Sequence, residues 1–216
     1  LGIKYMGAHG HSDLMSFQIF LNNIPFFIDS GTYQYHDKFK KFRNFFRSAR
    51  SHNVSSINKM DHSKILSNMM WDKITAVESI KVLKKNDQFN ISGKFNFSKN
   101  KIHSRTYTIF KEKILINDTF KADNDSQYQI YFQIHPKIKV NKNNKNSIIL
   151  SHKSTNRNLL ISFEEKNMNI DYFFGSIKPF LGWYSPSYDK IFPSHCIRLS
   201  GSIKNKKTIK TQIKLL

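Results

Sequence analysis

The sequence predicts an all-β fold, an antiparallel and supersandwich-like β-sandwich with few or no helices, on three observations. Aromatic and β-branched residues recur with a period of two over many short runs. Clusters of Asn, Asp, Ser and Lys punctuate those runs at short intervals, as turns do. Strands recurring at such spacing, without a stretch of period 3.6, argue for a sandwich.

In chain order, Leu14 to Leu21 reads as a strand entering the turn signal Asn22-Asn23. Ile24 to Ile28 is the second arm of that hairpin and ends at Asp29. Lys38 to Arg50 is the one helix-like candidate, and its phenylalanines at 39, 42, 45 and 46 suit a partly ordered loop equally well. Further strands are read at Ile74 to Leu83, Phe89 to Phe97, Ser104 to Lys111, Lys113 to Phe120 and Gln127 to Ile134. Ile138 to Val140, Ser147 to Leu150, Leu159 to Phe163 and Ile197 to Leu199 complete the set. Turns are expected at 84–87, 98–100, 122–125 and 141–146. No linker or internal repeat interrupts the pattern, so residues 1–216 are read as one domain.

The 39% hydrophobic and 14% aromatic content is too rich for a disordered chain. No apolar run reaches the length of a membrane span. The chain opens on Leu1, and its first residues already belong to the densest motif; it is expected to be the C-terminal piece of something longer. The net charge of +20 has two readings. One is an anionic partner, foremost an acidic polysaccharide. The other is compositional drift, since 29 of the 35 basic residues are Lys, alongside abundant Asn, Ile and Phe. So few arginines argue against nucleic acid, whose readout favours the guanidinium fork. The drift reading scatters lysines over edges and turns; the functional reading gathers a basic rim around His9, Tyr33 and Arg47. The single cysteine, Cys196, excludes an intrachain disulfide and reads as an inert buried thiol in a strand.

Site chemistry concentrates near the N-terminus. His9 and His11 are two residues apart, so on an extended strand their imidazoles share a face. Asp29 and His52 follow within reach of one or two hairpins. Two imidazoles and a carboxylate form a common zinc ligand set with a fourth position open. Asp13, two residues beyond His11, suits an orienting role better than a ligand role. Tyr33, Tyr35, Arg47 and Arg50 place rings and guanidiniums near Asp29 and His52 in sequence. Rings stack on sugars and Arg pairs bidentately with carboxylate or sulfate, while ordinary packing and surface charge are the alternative. The aromatic turn Gly182 to Tyr188 reads as a structural corner before a sugar platform. Two His-x-His families fit poorly: Leu14 stands where a metallo-β-lactamase-type site needs His, and no Glu precedes Glu78 as a cupin requires.

A third pattern covers nearly the whole chain. Gly7 to Phe17 (Gly-Ala-His-Gly-His-Ser-Asp-Leu-Met-Ser-Phe), Phe27 to Tyr35 and Phe46 to Val54 form an ordered series. With the later Arg105 to Asp118 and Gly182 to Tyr188 segments, it resembles the heparinase II/III-like polysaccharide lyases. That family pairs an N-terminal (α/α) toroid with a C-terminal antiparallel β-sandwich, and this chain is similar to the second part.

The resemblance implies one zinc, structural in role, held by His11, Asp29 and His52, with His9 as the active-site histidine beside them. It implies a uronic-acid polysaccharide such as heparan sulfate or alginate, cleaved by β-elimination in the periplasm or cell envelope. A base removes the C5 proton, the uronate carboxylate is neutralised to acidify that proton, and an acid protonates the leaving O4. The family's catalytic Tyr and its carboxylate-neutralising Asn or His lie on the toroid, so the isolated chain is expected to be inactive. Tyr33, Tyr35, Arg47 and Arg50 remain candidates for substrate binding. The alternative is a non-catalytic carbohydrate-binding or polysaccharide-assembly domain that keeps the zinc site as a staple.

Overall fold

A computed structural model describes Gly7 and residues 9–36, 41–165 and 167–216. The fold is all-β and antiparallel, the sandwich class that the period-two pattern predicts. Its contacts divide the chain into two compact units. No helix among the described residues is long and apolar enough to cross a membrane.

The first unit comprises Leu1–Ala76, Tyr128–Pro136 and Asn169–Ser200. Its opening hairpin joins Ile19–Leu21 to Ile24–Phe27 through Asn22 and Asn23, at φ 50° and 64°. Asn tolerates that left-handed pair, and the resulting turn matches the twist of the arms. Phe27 continues the sheet by pairing with Ile134, and Ser55–Ile57 pairs with residues 128–130. Asn169–Phe174 pairs antiparallel with residues 195–200. The helix-like stretch becomes a helix at Lys41–Arg47 and a 3-10 turn at Ala49–Ser51, while 38–40 lie outside the described residues. Seven residues are too few for a helix to stand alone. Burial of Phe45 and Phe46 against Tyr131, Phe180, Leu181 and Cys196 supplies what propensity cannot.

The second unit comprises Val77–Gln127, Lys137–Met168 and Gly201–Leu216. Ser79–Lys85, Gln88–Ser98 and Lys101–Ile109 form a meander that continues into the strand Lys113–Ile134. Ile138–Asn144, Ser147–His152 and Asn158–Phe163 form another, which pairs with residues 211–215. Alternation is strict at the centre. Phe95 and Phe97, then His103, Arg105 and Tyr107, then Ile116, Asp118 and Phe120 are buried, while their sequence neighbours reach solvent. Register places Arg105 directly opposite Asp118 and His103 on the diagonal. Asp118 accepts hydrogen bonds from His103 Nε2 at 2.6 Å, Arg105 Nε at 2.7 Å and Arg105 Nη2 at 3.1 Å. Burial works against the ionised carboxyl, yet the Arg105 guanidinium and the His103 bond outweigh it and pull Asp118 down to about 2.

Several boundaries differ from the sequence reading: the strand expected from Ile74 begins at Ser79, the one expected from Ser104 begins at Lys101, and strand runs on to Asn144 where a turn is expected from 141. No turn occurs at 122–125: Lys113–Ile134 is one strand, and Asp123, Asn124 and Asp125 are exposed along it. The strand expected at 197–199 extends over His195–Leu215, because Ile203, Ile209 and Ile213 keep burying into the second unit. The strand expected from Leu14 begins only at Ile19, and residues 9–18 form turns and extended loop with Met15 at φ 59°.

Candidate metal and polysaccharide site

Every residue of the N-terminal motifs described here lies in the first unit. The loop entering the hairpin carries His11, the hairpin's exit carries Asp29, and the residue after the 3-10 turn is His52. Each segment is pinned close to its functional side chain. Ser12 N–H donates to Arg47 O at 2.8 Å, and Ser12 Oγ and Ser63 N–H are 3.3 Å apart. Asn53 Nδ2 donates to Phe17 O at 2.6 Å and Ile28 O at 2.9 Å, so one buried amide ties both ends of the hairpin beside His52. Gly31 adopts φ 83°, and a Cβ there would lie 2.1 Å from Ser185 O. Only glycine lets the chain pass, and its N–H then donates to Asp29 Oδ1 at 2.8 Å.

The outcome is convergence. One ligand atom each from His11, Asp29 and His52 lies within 4.8 Å of the others. His52 is fully buried; its Nδ1 lies 2.6 Å from Asp29 Oδ2, and its Nε2 donates to Phe46 O at 3.1 Å. That carbonyl commits the Nε2 proton and aims Nδ1 at the cluster, an arrangement common among metal-ligating imidazoles. Burial opposes charge on both partners, but their attraction and hydrogen bond win. Asp29 falls to about 2, and the His52 imidazole rises. His11 goes the other way: burial and the neighbouring His52 charge push it down to about 3, leaving a neutral ring with a lone pair to offer. The donor set and its spacing suit a metal ion.

His9 departs from the expected strand geometry. It lies on a turn, its side chain is exposed, and its Nδ1 is hydrogen bonded to the Tyr35 hydroxyl at 2.8 Å. Tyr35 in turn stacks on Tyr188 at 6.3 Å between centroids and has the Arg43 guanidinium 4.8 Å over its ring. The aromatic turn is the structural corner expected of it. Trp183–Ser187 pairs with Lys190–Pro193, Trp183 stacks on Phe180 at 5.4 Å, and Ser185 N–H donates to Ser30 O at 2.8 Å beside Asp29.

Arg47 corrects the sequence reading of a substrate-facing guanidinium. It is fully buried, donates to Ser67 O at 2.5 Å, Asn68 O at 3.0 Å and Met70 O at 3.4 Å, and stacks 4.1 Å over Trp71. Those carbonyls have consumed the fork that a sugar carboxylate would need, so no basic rim is built on it. Tyr33 packs its ring on Phe42 and Phe46, a wall of the core more than a surface. Arg50 is exposed. Asp13 is exposed too and stands outside the His11–Asp29–His52 cluster. The sequence does not mark Phe46 O or Asp61, whose Oδ1 accepts the Ala49 N–H at 2.7 Å on the turn that precedes His52. A backbone carbonyl leaves no mark in a sequence, and Asp61 lies in an ordinary-looking Met-Asp-His-Ser loop.

The family model for the heparinase II/III-like C-terminal domain matches residues 1–212. No curated protein sequence matches the chain. Among solved structures, the heparan sulfate lyase HepC from Pedobacter heparinus superposes with a TM-score of 0.77 at 19% identity, over 96% of this chain and 31% of that one. A heparinase III structure superposes with a TM-score of 0.77 at 16% identity, over 96% of this chain and 30% of that one. At such identities the likeness is one of fold, and the chain spans under a third of these relatives.

Proposed function

The chain belongs to the heparinase II/III-like C-terminal family, and from that premise we propose that it serves a lyase cleaving a uronic-acid-containing polysaccharide by β-elimination. The observation that carries this reading is the exposed His9–Tyr35 pair, two residues along the chain from a metal-competent His11–Asp29–His52 cluster. The partner is an acidic polysaccharide, and an N-terminal helical domain completes the active site, in the periplasm or cell envelope.

In β-elimination the C5 proton leaves to a base, its electron pair forms the C4–C5 double bond, and O4 departs with a proton. His9 is the group of this chain placed to orient the sugar or carry one of those protons. The Tyr35 hydroxyl fixes its Nδ1, so Nε2 is the nitrogen turned to substrate. Tyr188 stacking and the Arg43 guanidinium hold Tyr35 in place. His11, Asp29 and His52 would hold zinc, which when bound supplies a fixed positive charge tying three loops together. Its role is structural, because the cluster's segments are the ones that flank His9.

Absorbance of the unsaturated uronate product tests the division of labour. The 216-residue chain alone gives little or no product, and the full-length protein gives robust product. In the full-length protein, His9→Ala lowers kcat about a hundredfold or more, the usual range for a general acid or base, without changing metal content. Robust cleavage by the chain alone would sink the proposed division, and an unchanged kcat would reduce His9 to a structural part. A full-length protein that keeps zinc and binds glycan but yields no product would favour the carbohydrate-binding alternative.

A further inference from the structure

The first unit has a cleft of about 450 Å³ whose lining includes Arg50, Lys59, Arg198, Asp61, Tyr131 and Leu181, none of them part of the His11–Asp29–His52 cluster. The volume lies within the range of pockets that enclose a small organic ligand, and it exceeds what an inorganic ion needs. Arg50 stands on the 3-10 turn with its Nε on Ser48 Oγ at 3.3 Å; its two terminal nitrogens meet no acceptor among the described residues. The turn itself is rigid, since Ser51 Oγ donates to Phe46 O at 3.0 Å and Ser48 O at 2.9 Å. Lys59 sits on a tight turn, with Asn58 at φ 53° and Lys59 at φ 60°, and its N–H donates to Gln129 Oε1 at 3.0 Å. Its ammonium forms no ion pair among the described residues. Arg198 gives Nε and Nη2 to one oxygen of Asp171, at 3.1 and 2.8 Å, and keeps Nη1 uncommitted.

Three cations and one carboxylate, Asp61, therefore line the cleft; Asp61 is already committed to the Ala49 N–H, and of the cations only Arg198 is ion-paired among the described residues, with Asp171. The floor is apolar at Leu181, with the Tyr131 ring beside it. Planar guanidiniums with open edges select an oxyanion, and an apolar floor selects a ring to carry it. We propose that this cleft is a binding subsite for an acidic sugar residue, holding its carboxylate or sulfate ester between Arg50, Lys59 and Arg198. The proposal rests on the acidic-polysaccharide reading for the class of polymer only, and it needs neither the metal nor lyase activity.

Titration calorimetry on the full chain tests it with a heparan-sulfate tetrasaccharide, its fully desulfated counterpart and inorganic sulfate, before and after chelation. Arg50→Gln weakens tetrasaccharide binding about tenfold or more, as loss of a charge-assisted hydrogen-bond pair does, and Lys59→Gln weakens it several-fold. Lys214→Gln removes the same charge from an exposed site in the second unit and leaves affinity unchanged. Retention of the desulfated sugar assigns the carboxylate; its loss assigns the sulfate ester. Chelation does not move the result, so failure of the metal reading is told apart from failure of this one. No tetrasaccharide binding, equal weakening by Lys214→Gln, insensitivity to both cleft variants, or inorganic sulfate binding as tightly as the tetrasaccharide would each overturn the proposal.

Discussion

Asp118→Asn is the sharpest perturbation that the second unit allows. The carboxylate is fully buried and accepts three hydrogen bonds, two from Arg105 and one from His103. Its fall from 3.8 to about 2 corresponds to about 2–3 kcal/mol of preference for the ionised form, at ~1.4 kcal/mol per pH unit. The amide keeps the shape but removes the charge, and it sets an NH₂ donor against the donors of Arg105 or His103. Arg105 is then a buried cation without its counter-ion, a situation that costs about 3–5 kcal/mol. Urea unfolding at neutral pH reads that loss directly. The pH dependence gives a second signature. The folded value lies below the unfolded one, so the contribution is complete above about 4 and is lost as pH falls towards 2, where the unfolded chain takes up the proton first. The wild-type protein therefore loses about 2–3 kcal/mol across that interval that the variant never had. A destabilisation under about 1 kcal/mol, or identical acid limbs for the two proteins, would refute the ionic account.

Other perturbations follow the same logic. Burial holds the His103 imidazole below 6.5, so its contribution is complete above that value and is lost as pH drops; His103→Gln should flatten the limb just below pH 6.5 in a stability profile. Zinc should raise the melting temperature of the wild-type chain and leave His52→Ala unmoved, as differential scanning calorimetry with and without a chelator would reveal. Arg47→Lys should cost on the order of 2–3 kcal/mol, because an ammonium cannot reach three carbonyls and stack on Trp71 together, with glycan affinity unchanged in calorimetry. Gly31→Ala forces a Cβ onto Ser185 O and turns the amide away from Asp29, so metal affinity should fall even where the protein still folds.

How far the sequence could be read depended on whether the deciding interaction was local. The hairpin at Asn22-Asn23 was legible because a two-residue left-handed turn has its own residue preference. The period-two strands were legible because alternation is a backbone property. The long strand Lys113–Ile134 was cut in two because Asp123, Asn124 and Asp125 carry turn chemistry, yet their side chains simply face solvent. Residues 201–215 were passed over because Asn205 and Lys207 occupy the parity that Ile203, Ile209, Thr211 and Ile213 bury. In the site, residue type and spacing offered His9, His11, Asp29 and His52 together; the family resemblance singled out the last three, and they do converge. The fate of Arg47 was invisible, since the carbonyls that capture it lie twenty and more residues on, at 67 to 70. Tertiary partners of that kind leave no local pattern.

The charge also makes more sense once it is divided. The first unit holds 13 Lys and Arg against 7 Asp and Glu, and the second holds 22 against 8, so +14 of the +20 falls in the unit without the His11–Asp29–His52 cluster. A surface built to draw polymer towards His9 would show the opposite bias. Lysines spread over strand edges, as on Ser79–Lys85, serve instead to discourage edge-to-edge pairing. In a chain so dominated by lysine, the six arginines mark where an ammonium would not do. Arg43, Arg47 and Arg105 are fully buried and bonded through their planar forks, and Arg198 spans Asp171. Arg157 lies exposed near a turn of the second unit. Arg50 alone combines exposure with a fixed backbone turn and a cleft in front of it. By that criterion, the guanidinium of this chain selected to meet an anion from outside is Arg50, and neither the lysine count nor the net charge would have singled it out.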